Sequence, residues 1–418
     1  MGSGFDRRLA GWTSSVCAGL LLTCLAAVPP ASAGPREDAL RIHERLAGVP
    51  PAPERLEEMA DLLDAGNPTG AADLALEHPD FYRVTVKNWA KPWTNRDQTV
   101  FVPLNDYVAT VVGMVRDDVP FNRLLSDNVV YYGDVSGVPA PSPSDNRHYE
   151  ALEAQNADLR EVLVAGTQTA VYGTPAEAAA GVVTSRAASR AFFIDGTNRA
   201  MFRFTLINHL CTDLEPLQDS SRPTDRIRQD VSRSPGGDSR IFLNRCSGCH
   251  TGMDPLAQAY AYYDFEYPEE NPDAGQLVWN PPGSTDPESL AEHEVDTRVQ
   301  EKYLVNGATF APGYVTPDDR WQNFWREGPN RALGWDFGPE SPMGWGRGAA
   351  EMGRELANSR AFASCQVRKV FRTVCLREPS NASDRNWLEN TTDALPASFG
   401  YAMKPVFAEA AAYCLVEP

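Results

Sequence analysis

The chain has 418 residues, a length that allows one large domain or two to three ordinary ones, each with a hydrophobic core. Acidic residues outnumber basic ones by 56 to 38, and the formal net charge is −18 at pH 7. This excess argues against nucleic acid as a partner, because phosphates bind to basic surfaces. It indicates either an acidic surface that only maintains solubility or a basic protein partner.

Residues 1–33 have the composition of a secretory signal peptide. Arg7 and Arg8 form a basic start, a mostly apolar run follows, and residues 31–33 (Ala-Ser-Ala) offer a small-residue cleavage site. The run is too short to cross a bilayer, which takes about 20 residues, and no second apolar stretch of that length follows. We therefore expect a periplasmic or secreted protein without a membrane span; twin-arginine export and lipid attachment at Cys24 are the alternatives.

Apolar residues recur at helical spacing over much of the next part of the chain. Helices are predicted over residues 38–49, 54–66, 104–118, 149–164 and 197–210, and the segment 71–90 is predicted to be helical at least to Glu77. A proline-rich loop is predicted over 133–147, and the polar, turn-rich segment 216–238 predicts a boundary. The chain is thereby divided into a helical N-terminal region, residues 34–235, and a second domain with loop insertions, residues 236–418.

The second domain alternates long loops with helices. Loops are predicted over 266–290 and 306–346, the latter with four tryptophans (321, 325, 335 and 345). Helices resume at about Gly348, break near Asn358 and continue to Val374, and a last helix covers roughly 400–413. Because convincing alternating strands are few, the predicted fold class is mainly α.

Cysteine usage predicts disulfides in an oxidising compartment. Of eight cysteines, two lie in the predicted leader, two in one close pair at 246 and 249, and four elsewhere: Cys211, Cys365, Cys375 and Cys414. Ten residues along one helix separate Cys365 from Cys375 by about 15 Å, whereas a disulfide needs Cα atoms within about 7 Å. Cys211 is therefore expected to pair with either Cys365 or Cys375, and Cys414 with the other.

The close pair belongs to the segment Cys246-Ser247-Gly248-Cys249-His250, which has the C-x-x-C-H spacing of covalent haem attachment. Two thiols add to the two vinyl groups of haem, and the next residue, a histidine, binds the iron. We predict one covalent haem c held by Cys246 and Cys249, with His250 as the proximal ligand. A redox dithiol, a structural disulfide or half a zinc site are the alternatives, but no βα context and no second ligand pair accompany the segment.

The second axial ligand of the iron is predicted from position along the chain. Met343 lies on a late loop, with a proline before it and a helix after it, and it is the first candidate. His209, His293 and an open or water-bound iron are the alternatives. Three further methionines, Met253, Met352 and Met403, are expected to pack in the core. We expect the other ring nitrogen of His250 to donate to a backbone carbonyl in the turn 253–255.

Residues 244–266 resemble the C-x-x-C-H-x-x-M-D-P-L-G-x-x-L-x-x-F-D pattern of cytochrome c-like domains of unknown function that are abundant in planctomycetes. Residues 246–256 fit closely, whereas Ala257 replaces the glycine and residues 263–265 only approximate the end. The segments RLAGVPP (45–51) and LANSRAFASCQVRKVF (356–371) are similar to their associated domains. The resemblance implies an exported, haem-bearing, mostly helical protein, and it supplies no substrate.

The segment before the motif resembles the first helix of class I cytochromes c. Asp238 or Ser239 can cap a helix that runs to Cys246, and Phe242 stands four residues before that cysteine, with a Gly-Gly pair at 236–237. In those cytochromes the aromatic residue packs on the last helix. The resemblance implies the same role for Phe242.

Two functions follow as hypotheses. The first is a monohaem electron-transfer protein with a redox partner protein, and the second is a haem enzyme of the peroxidase or oxidase kind with an open sixth position. The chain is larger than an electron carrier requires, which keeps the enzyme open, but no distal acid–base motif is evident. A haem-based sensor or structural module is a third class. No catalytic residue set is predicted from the sequence.

Overall fold

A computed structural model describes residues 34–194, 198–231, 239–286, 294–304, 310, 312–339 and 343–416. The predicted leader, the glycines at 236–237, Asp238, His293 and the side chain of Phe242 lie outside the described residues. Helices predominate, as predicted, and the described strands form three two-stranded antiparallel sheets. No helix within these ranges has both the length and the apolar composition needed to cross a membrane.

The α-helices are α1 Pro35–Ala47, α2 Pro53–Asp64, α3 Pro68–Leu76, α4 Lys87–Ala90, α5 Asp106–Arg116, α6 Arg147–Ala154, α7 Leu159–Val162, α8 Gln168–Tyr172, α9 Arg186–Phe192, α10 Asn198–Leu210, α11 Ser239–Arg245, α12 Ser247–Ala257, α13 Gly348–Ala357, α14 Arg360–Cys375, α15 Ala382–Ala397 and α16 Lys404–Val416. The strands are β1 Val130–Gly133, β2 Leu163–Gly166, β3 Tyr263–Glu266, β4 Gln276–Trp279, β5 Arg320–Gln322 and β6 Trp345–Arg347. A π-helical segment, Phe81–Val86, leads directly into α4.

Several helix ends follow from capping chemistry. The side chain of Asn105 accepts a hydrogen bond from the backbone N–H of Val108 and starts α5, the helix predicted at 104–118. Ser359 caps α14 in the same way and accounts for the predicted break before it. Proline at the first or second position begins each of the three N-terminal helices, because its missing N–H is not needed there.

Three expectations from periodicity are wrong. The helix predicted over 149–164 ends at Ala154, and Leu163–Gly166 instead pairs as β2 with β1. The loop predicted over 266–290 contains β4, which pairs with β3, and the loop predicted over 306–346 contains β5 and the start of β6. These strands are three or four residues long, so their alternation is too brief to stand out from the surrounding pattern.

Helix α15 was not predicted, although the sequence carries a signal for it. Asn381 and Asp384 form a capping box, in which each side chain accepts a hydrogen bond from the other residue's backbone N–H. The mixed polarity of the helix and Pro396 in its last turn obscure its period. A search for capping boxes would have found this helix.

One hydrophobic core contains residues from both predicted regions of the chain, including Phe81 and Phe407, whose rings lie 5.1 Å apart. Two disulfides connect distant parts of this core. Cys211 pairs with Cys365, and Cys375 pairs with Cys414. The prediction of two disulfides is confirmed, and the structure selects one of the two pairings that helix geometry had left.

Glu153 of α6 ties three neighbouring segments together. Its carboxylate accepts hydrogen bonds from Lys87 and Lys91, at 2.8 and 2.9 Å, and from the backbone N–H of Leu104 at 2.8 Å. Burial alone would raise the pKa of Glu153, but these hydrogen bonds outweigh it and lower the pKa to about 2. The carboxylate is therefore charged at any physiological pH.

Candidate functional site

The residues of the C-x-x-C-H segment lie at the junction of α11 and α12. Cys246 is the residue before α12, and Cys249 and His250 lie in its first turn. Their spacing of three and four residues, together with Met253, places them on one side of the helix. The sequence therefore brings both thiols and the imidazole together within one helical turn.

Neither thiol of the segment is in a disulfide. Cys246 and Cys249 are free and half-buried, whereas Cys211, Cys365, Cys375 and Cys414 are all paired. Cys246 packs against a small apolar cluster of Ile227, Val231 and Phe310. The two thiols are thus kept apart from the disulfides of the chain and lie beside apolar surface.

The segment just after α10 covers the other thiol. The Sγ of Cys249 lies 3.6 Å from the backbone carbonyl oxygen of Leu214 and donates to it. Burial raises the pKa of this thiol, and the neighbouring Cys246, Glu215 and Asp213 raise it further. Cys249 is therefore held as a thiol rather than a thiolate, which does not favour a reactive redox dithiol.

His250 is oriented by a carboxylate one helical turn further along the chain. Its Nδ1 lies 3.0 Å from Oδ1 of Asp254, and the His250 side chain is 19% exposed whereas that of Asp254 is 0% exposed. The expected partner, a backbone carbonyl in the turn 253–255, is wrong, because these residues belong to α12, and their carbonyls are directed along the helix axis. A hydrogen bond at Nδ1 leaves Nε2 as the nitrogen suited to bind a metal.

Asp254 is also the centre of a buried charge network that sequence reasoning missed. Its Oδ1 accepts from Nε of Arg199 at 2.7 Å, and its Oδ2 accepts from a second nitrogen of Arg199 at 3.1 Å and from the backbone N–H of Arg228 at 2.9 Å. Arg199 and Arg228 both bind Asp230 through two hydrogen bonds. Two buried guanidinium groups are thereby balanced by two buried carboxylates.

The network holds Asp254 in its charged form. Burial alone would raise the pKa of Asp254, but Arg199 and His250 outweigh burial and keep that pKa well below its ordinary value. The His250–Asp254 pair had a signal in the sequence, since residues four apart on a helix face each other. The arginines and Asp230 had none, because they lie 24 to 55 residues from Asp254 along the chain.

The opposite side of α12 is closed by protein. A Cβ added at Gly252 would lie 2.0 Å from Nε1 of Trp325, so only glycine allows this tryptophan to pack against the helix. The Oγ1 of Thr251 donates to the carbonyl oxygen of Asp219, whose N–H donates to the carbonyl of Gly248. The side of α12 opposite Cys246, Cys249 and His250 is therefore packed against the rest of the protein.

The candidates for the second axial position are scattered. Met343 is 71% exposed and begins the turn into β6, beside Gly344, whose carbonyl accepts from the N–H of Asn323. His209 is buried, and its Nε2 lies 2.6 Å from the hydroxyl of Tyr107. Burial, together with the charge of Lys369, holds the pKa of His209 well below the ordinary value.

Met253, Met352 and Met403 are buried, as expected for core residues. Of the four tryptophans, Trp321 and Trp325 are core, whereas Trp345 is 60% exposed.

No group of three or more histidine, cysteine, aspartate or glutamate side chains within the described ranges is arranged to hold a metal ion. No protein-family model, curated protein or solved structure matches the chain.

Proposed function

We propose that the chain is an exported monohaem c-type cytochrome that transfers electrons through a haem attached to Cys246 and Cys249, with His250 as the proximal iron ligand. The observation that carries this proposal is the state of the six cysteines in residues 34–418. Four of them form disulfides, while the two in the C-x-x-C-H segment stay free within one helical turn of an oriented imidazole. Because the other four cysteines form disulfides while this pair stays reduced, the two thiols are available to form thioether bonds.

The residues of the site fit a covalent haem. The apolar cluster beside Cys246 would contact a porphyrin edge, and with Nδ1 held by Asp254, Nε2 of His250 would be the ring nitrogen that binds the iron. A bound haem supplies reversible one-electron chemistry. Asp254 fixes the imidazole ring of His250 and keeps a charged carboxylate next to it, and Trp325 excludes water from the opposite side of α12.

The proposal includes location and partner. Residues 1–33 would direct the chain to the periplasm or the exterior, where the disulfides also form. With a net charge of −18, the chain would attract a basic redox protein. The planctomycete cytochrome c-like family remains the resemblance that suggests this assignment.

A second candidate is a haem enzyme with an open sixth position, and the His250–Asp254 hydrogen bond favours it. A carboxylate acceptor makes imidazole a stronger electron donor and stabilises ferric iron more than a backbone carbonyl does. Such a ligand suits a haem that reacts with an oxidant.

The test is expression of the full chain in a host that matures c-type cytochromes in its periplasm, followed by intact mass and optical spectra. We expect an added mass of about 616 Da, lost in a Cys246→Ala/Cys249→Ala variant. The matched control, Cys375→Ala/Cys414→Ala, keeps it. A bare polypeptide from wild-type expression contradicts the proposal.

The spectrum separates the two candidates. A weak band at about 695 nm in the ferric protein indicates methionine ligation, and Met343→Ala should abolish that band while Met253→Leu, a buried control, should not. High-spin bands that shift with cyanide or carbon monoxide favour the enzyme. If the band survives in Met343→Ala, Met343 is not the sixth ligand.

A further inference from the structure

A basic cleft is lined by three stretches of chain, one of which leads into the contact of Leu214 with Cys249. Its volume is about 1070 Å³, and three stretches of chain line it: residues 88–98, the end of α10 with residues 211–213, and the end of α14 with residues 376–378. Among the described residues, six basic side chains but only two acidic ones line it: Arg96, Arg203, Arg368, Lys369, Arg372 and Arg377 against Asp213 and Glu378. The chain as a whole has the opposite balance.

The basic groups exceed the carboxylates that neutralise them. Arg368 and Arg372 share the single carboxylate of Glu378, at 3.2 and 2.8 Å, and the side chains of both arginines are more than half exposed. Arg203 pairs with Asp213 at 2.6 Å, and Arg377 pairs with Asp384, which lies outside the lining. Two guanidinium groups on one carboxylate leave net positive charge that faces the cleft.

Lys369 adds a further basic side chain that has no carboxylate partner in the described part of the chain. Its Nζ donates to the carbonyl oxygen of Asn208 and lies 3.7 Å from the ring centroid of Trp93. Burial, and then the charge of Arg372, lower the pKa of this ammonium group well below its ordinary value. Burial therefore disfavours the charged form of Lys369, and an anion in the cleft would favour it.

Part of the remaining lining is apolar. Phe204 and Ile207 of α10 form an apolar wall, and Trp89 and Trp93, whose rings pack edge to face with centroids 4.6 Å apart, reach the cleft with only 6% and 4% of their surface exposed. Small-molecule sites typically combine such apolar walls with a few charged groups and have volumes of several hundred to about 1,000 Å³. The cleft has both properties.

The position of the cleft relates it to the candidate site. Cys211 and Asp213 line it, and Leu214, the next residue, provides the carbonyl that accepts from Cys249. The segment that lines the cleft at Cys211 and Asp213 therefore continues directly into the contact with Cys249.

We propose that the basic cleft binds a small organic anion with a flat aromatic body. The anionic groups are held by Arg368 and Arg372, and the aromatic body lies against Phe204 and Ile207, close to the tryptophans at 89 and 93. Binding itself does not depend on haem; the role of this anion as an electron-exchange partner rests on the proposed function.

The test is titration calorimetry of the full chain with anthraquinone-2,6-disulfonate, with tryptophan fluorescence quenching as a second readout. We expect binding by the wild type and a Kd at least about tenfold weaker in Arg368→Gln/Arg372→Gln, since two charge-assisted contacts are lost. Both arginines are exposed, so the variant should fold, and its far-UV circular dichroism should equal that of the wild type. The matched control, Arg147→Gln/Arg331→Gln, removes the same charge from exposed positions outside the cleft.

Three results would overturn the proposal: no binding at millimolar probe, equal weakening in the control variant, or unquenched tryptophan fluorescence when heat is released. The titration is repeated on Cys246→Ala/Cys249→Ala. Retained binding there supports the cleft whatever the mass measurement says about haem. Loss of binding only in that variant assigns the probe to the haem site and contradicts the cleft.

Discussion

Asp254→Asn is the substitution that tests the site most directly. Four N–H groups converge on the two oxygens of Asp254: Nδ1 of His250 and Nε of Arg199 on Oδ1, and a second nitrogen of Arg199 and the backbone N–H of Arg228 on Oδ2. Asparagine is nearly the same size, but its NH2 group cannot accept. Whichever way the amide is turned, two donors lose their acceptor, and the buried arginine loses half of its counter-charge.

The magnitude follows from those contacts. Hydrogen bonds to a charged group contribute about 1.5–3 kcal/mol each, and removal of one partner from a buried ion pair costs about 3–5 kcal/mol. We therefore expect Asp254→Asn to lower the free energy of unfolding by about 3–5 kcal/mol. The measurement is urea denaturation followed by tryptophan fluorescence, with the slope compared between variants so that a change in midpoint reports stability.

The matched control is Asp393→Asn, which breaks an aspartate–arginine pair with Arg360. That carboxylate is 57% exposed, so its loss should cost below about 1 kcal/mol. Haem-loaded Asp254→Asn should also have a higher reduction potential than the wild type, because its His250 is a weaker electron donor. Equal destabilisation of the two variants would refute the assignment of Asp254 as the centre of the buried network.

The remaining predictions concern pH and the disulfides. The pKa of Glu153 is lowered to about 2, so its contribution is complete above the ordinary value of 4.5 and is lost as pH falls from 4.5 towards 2. The free energy of unfolding of Glu153→Gln should therefore fall by about 1–2 kcal/mol less than that of the wild type between pH 6 and pH 3 in denaturation experiments. The exposed control Glu161→Gln should behave like the wild type. The same pH dependence for the wild type and Glu153→Gln would contradict this prediction. Chain entropy assigns about 5 kcal/mol to the Cys211–Cys365 disulfide and about 4 kcal/mol to Cys375–Cys414, from separations of 154 and 39 residues. Paired serine variants should follow that order in unfolding free energy, and a reversed order would show that native-state contacts outweigh loop closure.

The local features of the chain could be predicted from the sequence. The cap at Asn105, the break before α14 and the exclusion of a Cys365–Cys375 disulfide all depend on residues within a few helical turns. Helical spacing likewise places Cys246, Cys249 and His250 together. The short strands were missed, because a strand of three or four residues is stabilised by its partner strand rather than by its own pattern.

The long-range features could not be predicted in the same way. Helix geometry allowed Cys211 to pair with either Cys365 or Cys375. Only the packing of α10 against α14 selects Cys365. The acceptor for His250 was expected on the backbone, and the structure places Asp254 there with its arginines. The basic cleft combines three stretches that no period or motif relates.

The amino-acid order alone determined that two thiols and an imidazole share one helical turn and that the chain is mainly helical, since both depend on spacing along a single helix. Tertiary structure decided which cysteines pair, which carboxylate orients His250 and where positive charge collects on an acidic protein. Those outcomes depend on how distant segments close on one another, and the energy of a buried charge is set by all of its neighbours rather than by its place in the chain.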